Sequence, residues 1–329
     1  MPGHQKVLVT GGLGIIGAYV CRALLATSRQ PVIYDLGGNT GLIRDIAADC
    51  VVEHGNACDL PRLMGVIARH EPMAIAHLAG QIGPSVEQYP WSSLNANLIG
   101  TTTVFEAARL SGIQRIVFPS SRQVYGPIAE KHRHPTYDPV PEDHPREPLL
   151  LYGKIKRACE DIADHYARLY GLDIIALRFA SCFGPGRFGL HAQVSPMWGL
   201  IEAAIADRQF RIEYGADQCD DLCYSGESAN GFIAALDSVA CPGKFRAYNI
   251  SSGELISLRE MIAVLKGLYP SWSAEAGPGL DYRRSGLGNY FKMATEKAHA
   301  EIGFKPLFNY RLAAIDYAAT LERLKKAIS

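Results

Sequence analysis

Lys6-Val7-Leu8-Val9-Thr10-Gly11-Gly12-Leu13-Gly14-Ile15-Ile16-Gly17 is the stretch whose reading decides the fold. Lys6 to Thr10 reads as a short buried strand, Ala18 to Ala26 as a helix, and Pro31-Val32-Ile33-Tyr34-Asp35 as a second strand. A strand, a glycine turn, a helix and a strand within about 30 residues form the unit that binds a dinucleotide. Gly12, Gly14 and Gly17 keep the required spacing, with Gly11, Ile15 and Ile16 completing the turn. Glycines let backbone N–H groups approach a pyrophosphate, and the helix N-terminus adds a favourable dipole. The competing reading is a tight turn that only packs a helix onto a strand.

Asp35 ends the second strand. A carboxylate there accepts hydrogen bonds from the adenosine ribose hydroxyls and repels a 2′-phosphate. The following Leu36-Gly37-Gly38-Asn39 brings no arginine to welcome that phosphate, so the pattern selects NAD over NADP. A strand-end Asp that caps a turn is the alternative.

Working outward, Cys50 to His54, Met73 to Gly80, Arg115 to Pro119 and Leu172 to Phe179 read as four more strands. Helical stretches from Pro61, from Trp91 to Ser111 and from Tyr152 to Tyr170 separate them. This alternation predicts an α/β fold with a doubly wound parallel (Rossmann) sheet. Ligands sit at the C-terminal ends of such strands. Gly12, Asp35, Gly80 and Ser121 all fall there. Residues 1–180 are expected to form the dinucleotide-binding domain. Residues 181–329 form a smaller, mainly substrate-binding domain, entered through the loop Gly184-Pro185-Gly186-Arg187-Phe188-Gly189. Parts near 225–250 return to the first domain, because Ala247 to Ile250 reads as a strand. Asp59 either lies against the adenine edge or caps the helix from Pro61. His77 reads as a packed strand histidine. Gly126 to Pro148, rich in Pro, His and charge, reads as an irregular surface loop placed to cover the site.

Composition excludes several classes. Lys+Arg and Asp+Glu both number 33, so no basic excess points to nucleic acid or an anionic membrane. The longest apolar runs fall short of the roughly 18 residues of a spanning helix. Eight scattered cysteines form no C-x-x-C pair, and no secretory signal precedes them; reduced thiols in a cytoplasm are expected. Cys219 and Cys223 lack the four-ligand spacing of a zinc site, so no metal is expected.

Tyr152 and Lys156 stand four apart, on one face of the helix they open. A free phenol has a pKa of about 10, and bringing it near 7 takes about 4 kcal/mol. A cation about 5 Å away, at an effective dielectric of about 20, supplies roughly 3 kcal/mol of that. Lys156, aided by a second positive charge such as an oxidised nicotinamide, would make Tyr152 a base at neutral pH. Alone, the spacing is equally an ordinary helix start.

Together these segments resemble the extended short-chain dehydrogenase/reductases, the NAD-dependent epimerase/dehydratase family. Thr10 to Gly17 is similar to its glycine signature, Asp59-Leu60 to its adenine-side pair, and His77-Leu78-Ala79-Gly80 to its segment past the cofactor. Asn97-Leu98-Ile99-Gly100-Thr101 resembles its Asn-bearing helix, Ser121 to Gly126 its catalytic Ser/Thr segment, and Tyr152 to Lys156 its Tyr-x-x-x-Lys. Leu177-Arg178-Phe179 followed by Phe183-Gly184-Pro185 is similar to its next signature. The resemblance implies NAD held by Gly11, Gly12, Gly14, Ile15, Ile16, Gly17, Asp35, Asp59, Leu60, Leu78, Ala79, Gly80, Asn97, Tyr152, Lys156 and Phe179. It implies Tyr152 as the base, Ser121 as the partner on the same oxygen, and Lys156 as the cation that tunes Tyr152. It also implies a homodimer built on the helix from Asn97 and the helix from Tyr152.

The departures concern substrate. Dehydratases of the family place an acidic residue after the catalytic Ser/Thr; here Arg122 and Gln123 follow, which argues against elimination. Nucleotide-sugar members carry an Asn where this chain has Ser181, and an Arg where it has Asp220. No Arg precedes Gly279-Leu280-Asp281; Arg283 and Arg284 stand just after it. Ser121, Arg122, Ser181, Arg187, His191 and Arg283 are the candidate substrate contacts. Three readings stay open: an epimerase of a nucleotide sugar or sugar-like substrate that recycles NAD, a dehydrogenase of a small polyhydroxy or sugar-acid substrate that consumes it, and a non-catalytic NAD-binding regulator.

Overall fold

Seven short apolar runs pair side by side into one parallel sheet in the computed structural model, which describes residues 5–186, 196–284, 286 and 288–326. The first half supplies β1 (Lys6–Thr10), α1 (Ile15–Ala26), β2 (Gln30–Asp35), β3 (Val51–His54), α2 (Leu60–His70) and β4 (Ala74–His77). Two short helices, α3 (Ser85–Gln88) and α4 (Pro90–Leu94), lead into α5 (Gly100–Ser111) and β5 (Arg115–Ser121). Then come α6 (Leu151–Tyr170) and β6 (Asp173–Phe179). The rest of the chain gives β7 (Ser181–Phe183), α7 (Pro196–Ile205), β8 (Phe210–Ile212), β9 (Cys219–Tyr224), α8 (Ser225–Asp237) and β10 (Phe245–Ile250). It ends with β11 (Leu255–Ser257), α9 (Leu258–Leu268), β12 (Ala274–Ala276), α10 (Glu296–Ile302) and α11 (Tyr310–Lys326).

The sheet order is β10-β6-β5-β4-β1-β2-β3, and every pairing in it is parallel. Side chains alternate across a strand, so both faces of a central strand need cover. Val7, Val9, Ile33, Val117 and Ile175 face one core with α1 and α8. Leu8, Val32, Ile75, Ile116 and Ile174 face the other with α2, α5 and α6. The doubly wound α/β architecture expected from the alternating pattern is the one observed. Two small sheets, β11-β9-β7 and β12-β8, lie outside it.

Two details differ from the sequence reading. The stretch from Trp91 to Ser111 is not one regular helix, because Asn95–Ile99 forms a π-turn between α4 and α5. There Asn97 Oδ1 accepts from Gln81 N (2.8 Å) and Asn97 Nδ2 donates to Gln81 O (3.1 Å). The wide turn at Asn97 thus secures the chain just beyond β4. Residues 126–148 are irregular as expected but tied down: Val140 N donates to Lys292 O (2.9 Å), and Glu147 N to Tyr125 O (3.3 Å). Tyr137, in the same loop, is buried and accepts from Gln218.

Ser257 caps α9 in a full capping box with Glu260. Its side chain accepts from Glu260 N (3.2 Å), and its own N–H donates to Glu260 Oε2 (2.8 Å). Ser257→Ala is expected to cost about 1 kcal/mol, read as a lower denaturant midpoint at unchanged slope.

Candidate active site

The glycine turn packs β1 against α1 too closely for side chains. A Cβ on Gly17 would lie 2.2 Å from Gly11 O, and one on Gly11, at φ +71°, would lie 2.6 Å from Ala79 N. Gly14 is extended and caps α1 without a side-chain hydrogen bond. The first-turn N–H groups of a 12-residue helix, at Ile15 and Ile16, are therefore presented with their dipole at the C-terminal edge of the sheet. Asp35 Oδ2 accepts from Leu13 N (3.0 Å), and Asp35 Oδ1 from Gly37 N (3.1 Å), so the carboxylate stands beside the turn. Leu78 N donates to Thr10 O (2.8 Å) and Ala79 N to Thr10 Oγ1 (3.3 Å), which bring the exit of β4 to the same edge. A dinucleotide fits this cradle: bare backbone for the pyrophosphate, a helix N-terminus behind it and a carboxylate one strand over.

Of the two readings of Asp59, the cap is visible: its side chain accepts from Arg62 N (3.1 Å) at the start of α2, where Leu60 is the first residue. Phe179 lies in the core, its ring 6.0 Å from that of Phe232. His77 is buried between Thr10 Oγ1 (2.7 Å) and Thr101 Oγ1 (2.9 Å). Burial, with the charge of Lys156, pushes its pKa down to about 3, so it is a neutral packed histidine.

Ser121 closes β5 and Tyr152 and Lys156 rise from the first turns of α6, the arrangement that the four-residue spacing requires. Ser121 Oγ accepts from Gln123 N (3.2 Å). A Cβ on Gly153 would lie 2.4 Å from Gln123 O, so the start of α6 presses directly on the segment after Ser121. Lys156 is buried, donates to Pro119 O (2.7 Å) and stands 5.6 Å from the centre of the Tyr152 ring. Burial pushes the Tyr152 phenol above its ordinary value, with the thiols of Cys182 and Cys159 adding to it. Burial also pulls the Lys156 ammonium down. The ammonium is held by the Pro119 carbonyl at the side of the Tyr152 ring.

Behind this pair lies a buried cluster that sequence reasoning missed. Glu160 Oε1 accepts from Ser120 Oγ (2.5 Å) and Arg178 Nε (2.9 Å), and Oε2 from Arg178 Nη2 (2.7 Å) and Arg146 Nη1 (2.9 Å). The signal was present: Glu160 is four residues beyond Lys156 and eight beyond Tyr152, on the same helix face. Glu87 was also missed; its carboxylate accepts from Tyr152 N (3.2 Å).

Of the residues read as candidate substrate contacts, Arg122 is 4% exposed. Its Nη1 donates to Asp220 Oδ1 (2.7 Å) and to Asp221 O (3.1 Å). Arg283 Nη2 donates to Asp220 Oδ2 (2.8 Å) and Ser181 Oγ (3.1 Å). The structure thus brings Arg122, Ser181 and Arg283 together around Asp220; Arg187 and His191 lie outside the described residues. An open cavity of about 230 Å³ is lined by Gly80, Gln81, Ile82, Ser85, Tyr89 and Ser92. Among the described residues no group of three or more His, Cys, Asp or Glu side chains is arranged to hold a metal, and no helix is long and apolar enough to cross a membrane.

A doubly wound parallel sheet with a glycine turn, a strand-end carboxylate and a Tyr/Lys helix defines a dinucleotide-dependent oxidoreductase-type fold. The sequence profile of the NAD dependent epimerase/dehydratase family matches residues 7–251, and the chain belongs to that family. It is accordingly an NAD-dependent enzyme of the extended short-chain dehydrogenase/reductase type. A UDP-glucose 4-epimerase of Rhizobium meliloti (strain 1021) is 30% identical over 330 residues, covering 96% of each chain. Among solved structures, the UDP-N-acetylglucosamine 4-epimerase of Methanobrevibacter ruminantium M1, in complex with UDP-N-acetylmuramic acid, superposes with a TM-score of 0.83 at 21% identity. That match covers 97% of this chain and 99% of the other. The UDP-glucose 4-epimerase of Brucella ovis in complex with NAD gives 0.79 at 24% identity, over 96% and 97% of the two chains.

Proposed function

We propose that this chain is an NAD-dependent epimerase that inverts a carbinol carbon of a nucleotide sugar, with the cofactor recycled in place. The observation that carries the reading is the full-length 30% identity to a UDP-glucose 4-epimerase; Ser121 at the end of β5, and Tyr152 and Lys156 on the first turns of α6, support it. The backbone at Gly11, Gly12, Gly14, Ile15, Ile16 and Gly17 receives the pyrophosphate. Asp35 takes the ribose hydroxyls, and Leu78, Ala79, Gly80 and Asn97 line the path beyond. NAD held there would supply the reversible hydride acceptor that inversion of a carbinol carbon needs. Tyr152 takes the hydroxyl proton as that carbon is oxidised and gives it back on reduction. Ser121 donates a hydrogen bond to the same oxygen and stabilises its developing charge. Lys156 supplies the positive charge that favours the phenolate and holds Tyr152 in register. Arg122 and Gln123, in place of an acidic residue after Ser121, support epimerisation without elimination.

One observation favours a second reading, a dehydrogenase of a sugar acid without a nucleotide: Asp220 stands where nucleotide-sugar members carry an arginine. The test is incubation with UDP-, GDP- and dTDP-sugars without added NAD, and with free sugar acids plus NAD. Isomer formation without NADH growth is expected. NADH accumulating one per product supports the second reading instead.

The domain division at about residue 180, with 225–250 returning to the first domain, belongs to the same proposal; β10 beside β6 and α8 against α1 support it. So does a homodimer through α5 and α6, supported by Leu110, Leu169 and Tyr170, which are exposed on those helices. Eight free thiols support a cytoplasmic setting.

A further inference from the structure

Asp220 is fully buried, and its carboxylate is saturated. It accepts from Arg122 Nη1 (2.7 Å), Arg283 Nη2 (2.8 Å), Asp221 N (3.1 Å) and Tyr282 OH (3.3 Å). Two guanidinium groups share this one carboxylate. The neighbouring Asp221 is no full counter-charge, because burial pushes its pKa up to about 7 against the hydrogen bonds that lower it. Aromatic rings hold the flat faces of both arginines. The Arg122 guanidinium lies 4.3 Å over Phe291, and that of Arg283 lies 5.4 Å from Tyr282 and 5.2 Å from Tyr290. With the faces held and one edge on Asp220, donors are left over. Arg122 Nη2 and Arg283 Nε are buried and without a hydrogen-bond partner among the described residues. Gln123 Oε1 is a third such atom, and it is an acceptor. Buried polar atoms of this kind are rare and costly, so each calls for a partner.

The set has a chemical complement. Spare donors on two guanidinium groups suit an anionic oxygen acceptor, carboxylate or phosphate alike; because Arg122 directly follows Ser121, an anionic group of the reacting ring itself, a carboxylate, is the class the proposal takes. One spare carbonyl oxygen asks for a hydroxyl donor. Arg122 and Gln123 directly follow Ser121, and Gln123 abuts Gly153 beside Tyr152. Arg122 and Gln123 thus adjoin the oxidation site along the chain, and Arg283 reaches the same Asp220 carboxylate as Arg122. We propose that Arg122 and Arg283 form an anion subsite, and that the substrate carries a carboxylate on or beside the ring whose hydroxyl meets Ser121, with a hydroxyl of that ring on Gln123. The proposal rests on the reading of Ser121, Tyr152 and Lys156 as the oxidation site.

Arg283→Gln is the variant of choice, because Arg283 is the more exposed of the two arginines, with 20% of its side chain open against 5% for Arg122. Dissociation constants of NAD-loaded wild type and Arg283→Gln are measured for UDP-glucose, UDP-glucuronate and free glucuronate. The wild type is expected to bind UDP-glucuronate at least tenfold more tightly than UDP-glucose, and Arg283→Gln to erase that preference while NAD retention stays the same. Arg283→Lys, which keeps the charge, is expected to restore part of it. Equal loss for both UDP-sugars would assign the arginines to a diphosphate and overturn the carboxylate. Equal binding by wild type and variant would overturn the subsite. Arg283-dependent binding of free glucuronate, with no UDP-sugar bound, would support the subsite and refute the nucleotide-sugar reading.

Discussion

Tyr152→Phe is expected to lower kcat by about 10²–10⁴-fold, the range that a positioned proton-transfer group contributes. At 25 °C this is roughly 3–5 kcal/mol of barrier. The ring stays, so the packing around the start of α6 is kept and only the hydroxyl is lost. NAD retention should therefore match wild type, measured by the absorbance of the purified protein and by titration. The pH profile gives a second readout. Burial holds the Tyr152 phenol above its ordinary value of about 10, so the proton-accepting form gains population as pH rises. kcat/KM is expected to climb with pH in wild type, and this limb should vanish in Tyr152→Phe. Buried His77, between two threonine hydroxyls with its pKa pushed down to about 3, cannot produce that limb near neutrality. Full activity in Tyr152→Phe would sink the proposed chemistry.

Much of this was legible in the chain because it is local. The turn from Gly11 to Gly17 sits between a buried strand and a helix, and the periodicity of both is written in consecutive residues. The parallel sheet follows because βαβ crossovers leave few other arrangements. The spacing of Tyr152 and Lys156 needs only one helix. What was not legible depends on long-range pairing. Asp220 reads in sequence as a missing arginine; in space it is the shared partner of Arg122, 98 residues earlier, and Arg283, 63 residues later. Burial around Tyr152 is likewise set by the whole fold: sequence gives the neighbouring charge of Lys156 but not the loss of water that pushes the phenol up. The π-turn at Asn97 also escaped, since its cause is a pair of hydrogen bonds to Gln81 across the exit of β4.

Glu160→Gln is expected to destabilise the fold by about 3–5 kcal/mol, the cost of removing one partner of a buried ion pair. Glu160 is completely buried and receives Arg178 through two donors, Arg146 through one and Ser120 through its hydroxyl. An amide of the same size cannot satisfy three guanidinium N–H groups and would leave Arg178, itself 4% exposed, without a counter-charge. The pH dependence supplies an independent check. Burial alone would raise the Glu160 pKa, but Arg178 foremost, then Ser120 and Arg146, hold it below the ordinary carboxylate range. A depressed folded-state pKa contributes stability above the unfolded value, about 4.3, that is lost as pH falls through the folded one. The gap in unfolding free energy between wild type and Glu160→Gln should therefore be full at pH 7 and narrow steadily below about pH 4.3, measured by denaturant titration across that range. A gap that stays constant on acidification would show that the buried carboxylate is not ionised. Because Ser120 adjoins Ser121, and Glu160 stands one turn beyond Lys156, loss of this carboxylate also loosens both ends of the site. A fall in kcat beyond the fraction unfolded is the expected signature, with NAD retention reporting whether the cradle at Gly14 still holds.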